Sequence, residues 1–271
     1  MADARSELSG ESSAECSCDA WFGGRLTLVQ PRRGHRVGSD AALLAAAADF
    51  AEGRFADVGA GVGAVALAIL SRRKPLTADL IEIDSGLACL ALDNAIRNGF
   101  GDCTRIRSLD ICDARARSEA GLTAEAASAV VTNPPFFEPD MVRVSPDDAR
   151  AQAHVLTGSP SDGAPLVRWI RACLTLLKPG GRFVMIHRPE ALPPILTAAE
   201  NRLGALALMP VHPRASVAAH RLLVSGVKGS KAPLRIVPAL VLHEADGKLT
   251  PEADEIHRGE ALIDWGGVMQ H

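Results

Sequence analysis

Tyrosine is missing from all 271 residues of this chain, so no phenol hydroxyl is available for any chemistry. An excess of charge is missing too: 29 Lys and Arg stand against 32 Asp and Glu, a formal net charge of −3. That balance excludes a surface coated for nucleic acid, so a polyanionic partner would have to meet a local basic patch. Arg32-Arg33-Gly34-His35-Arg36 and Arg72-Arg73-Lys74 are the candidate runs, with Arg214, Arg221, Lys228 and Lys231 further along. The second run follows a helical segment, where cations suit the macrodipole, and reads equally as a solvated face. The six cysteines lack paired metal-ligand spacing, and no metal site is expected. Cys89 and Cys173 fall in Ala/Leu-rich helical contexts and read as small buried residues. Long apolar runs are absent as well. The first twenty residues are polar and carry no leader-like segment, and the Ala-rich helical stretches are too short to span a bilayer. A reduced cytoplasm, with no membrane partner, is the expected compartment.

What is present is a chain that is 47% hydrophobic and long enough to bury one sizeable core. Residues 1–20, rich in Ser, Glu and Ala and including Cys16 and Cys18, are expected to be a disordered tail, with one domain over 21–271. Residues 21–38 read as a turn-rich entry, and Ser39 as the cap of a helix from Asp40 to Phe50. Strand-like runs at 54–58, 77–83, 104–108, 128–132 and 182–187 alternate with helical ones at 63–72, 85–98, 164–177 and 190–203. Strands separated by helices imply a parallel sheet covered on both faces. Residues 205–211 and 221–227 have no helix between them and should close the sheet as an antiparallel hairpin. The expected fold is therefore α/β and Rossmann-like: a seven-stranded, mostly parallel sheet with an antiparallel terminal hairpin and helices on both faces.

Two motifs carry the chemistry. Asn133-Pro134-Pro135-Phe136 follows the apolar run Ala129-Val130-Val131-Thr132. An Asn carbonyl accepts one N–H of a planar amine, and two prolines hold the preceding backbone extended so that its carbonyl accepts the other. A Phe stacks on a flat ring drawn out of a nucleic acid. Asn-Pro alone is an ordinary strand-ending turn. The second motif is Asp57-Val58-Gly59-Ala60-Gly61-Val62-Gly63, between a strand-like and a helical run. Such a turn admits a ligand close to the backbone and offers it a helix N-terminus. The letters Gly59-x-Gly61-x-x-Ala64 also fit a dinucleotide fingerprint. A carboxylate at the lip, Asp57, disfavours a pyrophosphate and favours a ligand bearing ammonium and sulfonium groups, as S-adenosylmethionine does. In Leu80-Ile81-Glu82-Ile83-Asp84, Glu82 can accept ribose hydroxyls under either reading, and Asp84 also reads as a helix cap. Asp110, followed by Asp113, can likewise cap the next turn, and Asp40 can be a first-turn acid favoured by the helix dipole.

Together, Asp57-x-Gly-x-Gly-x-Gly63, the Glu82 strand end, Leu109-Asp110-Ile111 and Asn133-Pro-Pro-Phe136 resemble the ordered motifs of class I S-adenosylmethionine-dependent amino-methyltransferases. The opening Leu26 to Pro31 and Gly34 to Ala45, His212-Pro213-Arg214-Ala215, Arg221 to Val224, and Leu242-His243-Glu244 resemble the bacterial valine-tRNA adenine-N6 methyltransferases, over roughly residues 21 to 265. Many members of that family carry Tyr where this chain has Phe136, which keeps stacking and removes any role of a hydroxyl. The resemblance implies S-adenosylmethionine as cofactor. It places Asp57, Gly59, Ala60, Gly61 and Gly63 at the methionine portion, Glu82 at the ribose, and Asp110 and Ile111 at the adenine, with Ile83 also among the cofactor-binding residues. Asp40 falls on the cofactor side, and Asn133 borders the cofactor. Asn133, Pro134, Pro135 and Phe136 become the catalytic segment, and an RNA, expected to be tRNA, meets a patch including Arg32, Arg33 and Arg36. His35 and His154 are minor candidates for the substrate side, and 137–163 for a substrate loop. The competing activities are guanine-N2 methylation of ribosomal RNA and protein glutamine methylation. Relatives of the latter kind place a helical domain ahead of the Gly loop, where only 56 residues stand here. Outside methyl transfer, an NAD-dependent dehydrogenase or an inactive RNA-binding module would use the same fold.

Overall fold

A computed structural model describes residues 16–33, 36–50, 52–72, 75–135 and 164–266. Strand and helix alternate through most of it: β3 (Gly53–Val58), α2 (Ala64–Arg72), β4 (Leu76–Glu82), α3 (Ser85–Arg97), β5 (Thr104–Ser108), α4 (Ala114–Glu119) and β6 (Ala127–Thr132). Then come α5 (Pro165–Leu176), β7 (Leu177–His187), α6 (Leu192–Ala199), β8 (Leu203–Arg214) and β9 (Arg221–Lys228). The strands lie in the order β5-β4-β3-β6-β7-β9-β8, parallel through β7, with β9 antiparallel to both neighbours. This is the expected sheet with its terminal hairpin. Two short strands, β10 (Arg235–Ile236) and β11 (Leu240–His243), pair in parallel with the outer edge of β8 and extend it to nine. They cover backbone donors and acceptors that an edge strand would otherwise present.

The central strands read as unbroken apolar runs because both faces are covered. On one face Val131, Val184 and Leu223 pack under α1 (Ser39–Ala47), α2 and the C-terminal segment; on the other, Val130, Phe183 and Val224 pack under α5 and α6. Several expectations are corrected at the edges of this frame. Residues 16–20, expected to be disordered, belong to β1 (Cys16–Trp21), which pairs antiparallel with β2 (Leu26–Pro31), itself within the expected turn-rich entry. The pair is pinned from outside: Asn94 of α3 accepts Val29 N–H at 2.7 Å and donates to Val29 O at 2.9 Å, and Asn98 does the same for Thr27. Ser39 lies inside α1 and caps nothing, and the helix ends at Ala47 rather than Phe50. Cys89 is exposed rather than buried, while Cys173 is buried as expected. Arg72 is no solvated cation: its guanidinium donates to Ala45 O and Ala261 O, each at 3.1 Å, and lies 4.7 Å above the Phe22 ring.

Candidate active site

Parallel strands in register end together, and this places most of the sequence motifs on one edge. Val58 pairs with Ile81 and Thr132, Glu82 with Ser108, and Thr132 with Met185, so the segments after β3, β4, β5 and β6 emerge side by side. At the first of these, Gly59, Gly61 and Gly63 have φ of 74°, 55° and 85°, a left-handed sequence of turns that side chains resist. The turn is tied down from the neighbouring strand, since Gly59 N–H and Ala60 N–H both donate to Ile81 O, at 2.8 and 3.1 Å. Glu82 completes the tie: its two carboxylate oxygens accept Gly61 N–H at 2.8 Å and Asp84 N–H at 3.0 Å. Asp84 caps α3 through Leu87 N–H, and Asp113 caps α4, as the bland readings allowed.

Asn133 stands opposite that turn. Thr132 hydroxyl donates to Val58 O at 2.7 Å and accepts the indole N–H of Trp169 at 3.0 Å, so β3, β6 and α5 are stapled at their tips. A Cβ at Gly59 would lie 3.1 Å from the Trp169 ring and 3.8 Å from the Asn133 carbonyl oxygen. At Gly61 a Cβ would meet nothing within 4 Å, so that glycine's outer side is open. The gap between the glycine turn and the Asn-Pro-Pro backbone is therefore narrow at Gly59 and free at Gly61. Sequence reasoning passed over Trp169, since a lone Trp on an amphipathic helix reads as core. It also passed over His187, the last residue of β7. That imidazole is 6% exposed and its pKa is lowered, chiefly by burial, against the raising effect of the Arg188 and Pro135 backbones.

The acids of the edge differ in their settings. Asp57 is 1% exposed rather than open at a lip: one oxygen accepts Ala66 N–H at 3.0 Å in the first turn of α2. Burial pushes its pKa up to about 7, against the hydrogen bond from Ala66 and with the help of the Glu82 charge. Asp110 accepts Cys112 N–H at 2.8 Å, while Ile111 is buried in the core with its carbonyl bonded to Arg117. Ile83, by contrast, is 60% exposed just past β4 and offers an apolar surface beside Glu82. Asp40 is engaged by Arg221, whose Nε lies 3.0 and 2.8 Å from its two oxygens. Two acids at the glycine turn, Asp57 and Glu82, favour a cationic ligand over a pyrophosphate.

The basic candidates scatter. Arg32 and Arg33 are exposed just past β2, and Arg36 pairs with Asp19 at 2.8 Å. Lys228 sits at the opposite end of the sheet, donating to Leu174 O and Leu177 O and pairing with Glu125. Phe136, His35, Arg73, Lys74, His154 and the 137–163 stretch lie outside the described residues.

Comparison with known proteins gives independent bearings. A family model described as the methyltransferase small domain matches residues 35–147. The tRNA1(Val) (adenine(37)-N6)-methyltransferase of Porphyromonas gingivalis is 32% identical over 225 residues, 80% of this chain and 85% of that protein. The protein of the same name from a Flavobacteriaceae bacterium is 28% identical and covers 74% of this chain and 80% of its own length. Among solved structures, a predicted O-methyltransferase from Agrobacterium tumefaciens superposes with a TM-score of 0.68 at 30% identity, over 83% of this chain and 98% of that one. TYW2 of M. jannaschii, solved in complex with AdoMet, reaches 0.52 at 11% identity over 79% and 86%, a likeness of fold alone.

Proposed function

Since the chain belongs to the family of the tRNA1(Val) (adenine(37)-N6)-methyltransferases and is an S-adenosylmethionine-dependent methyltransferase, we propose that it methylates the exocyclic N6 of an adenine in tRNA. What supports this acceptor is the approach of the Asn133 backbone to the glycine turn, its main-chain carbonyl oxygen 3.8 Å from the Cβ position of Gly59, across a gap that Gly61 leaves open. The residues around the gap suit the cofactor: Glu82 for ribose hydroxyls, Asp57 for an ammonium group, Asp110 and the exposed Ile83 for an adenine. Asp40, paired with Arg221, is taken as a cofactor-side residue on the strength of the family resemblance. When bound, S-adenosylmethionine supplies an electrophilic methyl group.

The remaining work falls to the chain. An adenine amine is a weak nucleophile because its lone pair is delocalised into the ring. Asn133 Oδ1 and the Pro134 carbonyl accept its two N–H bonds and favour a pyramidal nitrogen whose lone pair is aimed into the gap. Pro134 and Pro135 hold that carbonyl rigid. Positioning and electrostatic complementarity then carry most of the rate, and no strong base is needed, since the proton becomes acidic only as the new bond forms. Phe136 stacks on the extruded base, worth about 1–3 kcal/mol by analogy with aromatic–base contacts. Arg32, Arg33 and Arg36 provide phosphate contacts, and a tRNA substrate makes the cytoplasm the site of action. Among the described residues no helix is long and apolar enough to cross a membrane.

The direct test incubates the purified chain with labelled cofactor and total tRNA from cells lacking its gene, then identifies the product nucleoside by mass spectrometry. N6-methyladenosine is expected; N2-methylguanosine would replace the adenine assignment with its guanine rival. Asn133→Ala is expected to keep cofactor affinity within about threefold while losing about 100-fold or more in turnover, the scale of removing an oriented polar group. Abolished cofactor binding in that variant would sink the role given to Asn133.

A further inference from the structure

The hairpin joining β8 to β9 ends at the same edge as Asn133, on the side away from the glycine turn. Val211 pairs with Arg221, and Leu222 with His187, so the 215–220 loop stands just past the tip of β7. Strands about 4.8 Å apart put β8 roughly 14 Å from β6 across the sheet. Three imidazoles are tied to this hairpin's backbone. His212 Nδ1 lies 2.6 Å from Val217 O, His220 Nδ1 3.2 Å from Val211 O, and His243 Nδ1, from β11, 3.1 Å from Pro213 O. A carbonyl only accepts, so in each ring Nδ1 carries the proton and Nε2 holds the lone pair. The three residues are part-exposed, and no Nε2 among them bonds to a described residue. Nor do they assemble a metal site, since no group of three such ligands comes together among the described residues.

Fixed charge around the hairpin does not favour a polyanion by itself. Arg214 is exposed, but Arg221 is paired with Asp40 and Lys248 with Asp246, and Glu244 is exposed nearby. The β7 tip adds Arg188, and helix α7 (Pro251–His257), packed on β11, adds Glu252, Asp254 and Glu255, with Asp254 paired to Arg258. The imidazole nitrogens and Arg214 are therefore the contacts that this surface has to offer. With Nδ1 donating to its carbonyl, each Nε2 accepts a hydrogen bond from a ribose 2′-hydroxyl, and the exposed Arg214 donates to a phosphate oxygen. RNA offers both groups at every nucleotide.

We propose that His212, Arg214, His220 and His243 form a docking surface for the ribose–phosphate backbone of the RNA substrate, with the three Nε2 atoms as its points of contact. The proposal rests on the tRNA reading of the site.

Binding of total tRNA is measured by fluorescence anisotropy at fixed salt and pH, with the amount of N6-methyladenosine formed measured alongside. A variant carrying His212→Asn, His220→Asn and His243→Asn keeps an N–H in the place of each Nδ1 and is expected to bind about tenfold more weakly than wild type, with cofactor affinity unchanged. Equal affinity in variant and wild type would overturn the proposal. Should the triple variant fail to fold, Arg214→Gln, at an exposed position, reads the same surface: the slope of log affinity against log salt should fall by about one. An unchanged slope would remove the hairpin from the interface. If the wild-type chain methylates tRNA while these variants bind it as well as wild type does, the docking surface is wrong and the activity stands. A wild-type chain that methylates no tRNA overturns both.

Discussion

Asp57 binds one proton more when folded than when unfolded over a wide range of pH. Its pKa rises from the ordinary 3.8 to about 7 because burial penalises the carboxylate. Folding is therefore unaffected by this group below pH 4, where both states are protonated, and loses stability as pH rises toward 7, to a ceiling of about 4 kcal/mol. Asp57→Asn retains an oxygen for Ala66 N–H and removes the ionisation. Thermal melts from pH 5 to 8 should decline less in this variant than in wild type, while cofactor affinity at pH 8 falls for want of a carboxylate beside the ammonium group. Equal declines would assign the pH dependence elsewhere. The residue type at 57 was legible in the sequence, but its burial was not, since that depends on α2 folding back over the strand end.

Elements were legible where their signal is local. The strands from β3 to β7 stood out as apolar runs between helical ones, and the long β8–β9 pairing followed from the lack of a helix between them. The β1–β2 pair did not stand out: six residues each, one of them in a polar stretch, acquire their place only through α3. Asn94 is fully buried and serves both Val29 and Val62, so Asn94→Ala leaves buried backbone groups without partners. A loss of about 2–4 kcal/mol is expected by urea denaturation, well above the effect of a surface change. Asn98→Ala, at a less buried position, should cost less. The reverse order would mean that β2 is held by its own hairpin rather than by α3.

At the scale of the whole molecule, the C-terminal segment closes the core. Trp265 donates its indole N–H to Ala47 O at 3.1 Å, Ile263 N–H donates to Ala46 O at 3.0 Å, and Arg72 reaches Ala261 O. The first two satisfy carbonyls at the end of α1 that the helix cannot satisfy itself. Trp265 is 5% exposed, so Trp265→Ala should destabilise by about 3–5 kcal/mol through the cavity it leaves. Trp265→Phe, which fills most of that space, should cost about 1 kcal/mol for the lost hydrogen bond. Chemical denaturation of both variants separates the two contributions; equal losses would make the hydrogen bond, not the burial, decisive.

The sequence by itself determined the class of fold and the order of its chemical motifs. Apolar periodicity, left-handed glycines and the stiffness of two prolines act over a few residues, and no distant partner is needed to read them. Only the tertiary structure decided what each motif faces: Glu82 on the Gly61 amide, Trp169 on Thr132, Arg221 on Asp40, three imidazoles on one hairpin. Residues 37 and 181 positions apart, as in the second and third of these, meet because parallel strands bring their ends to a common edge. Which side chains converge there is a property of the sheet's strand order, which no local pattern encodes.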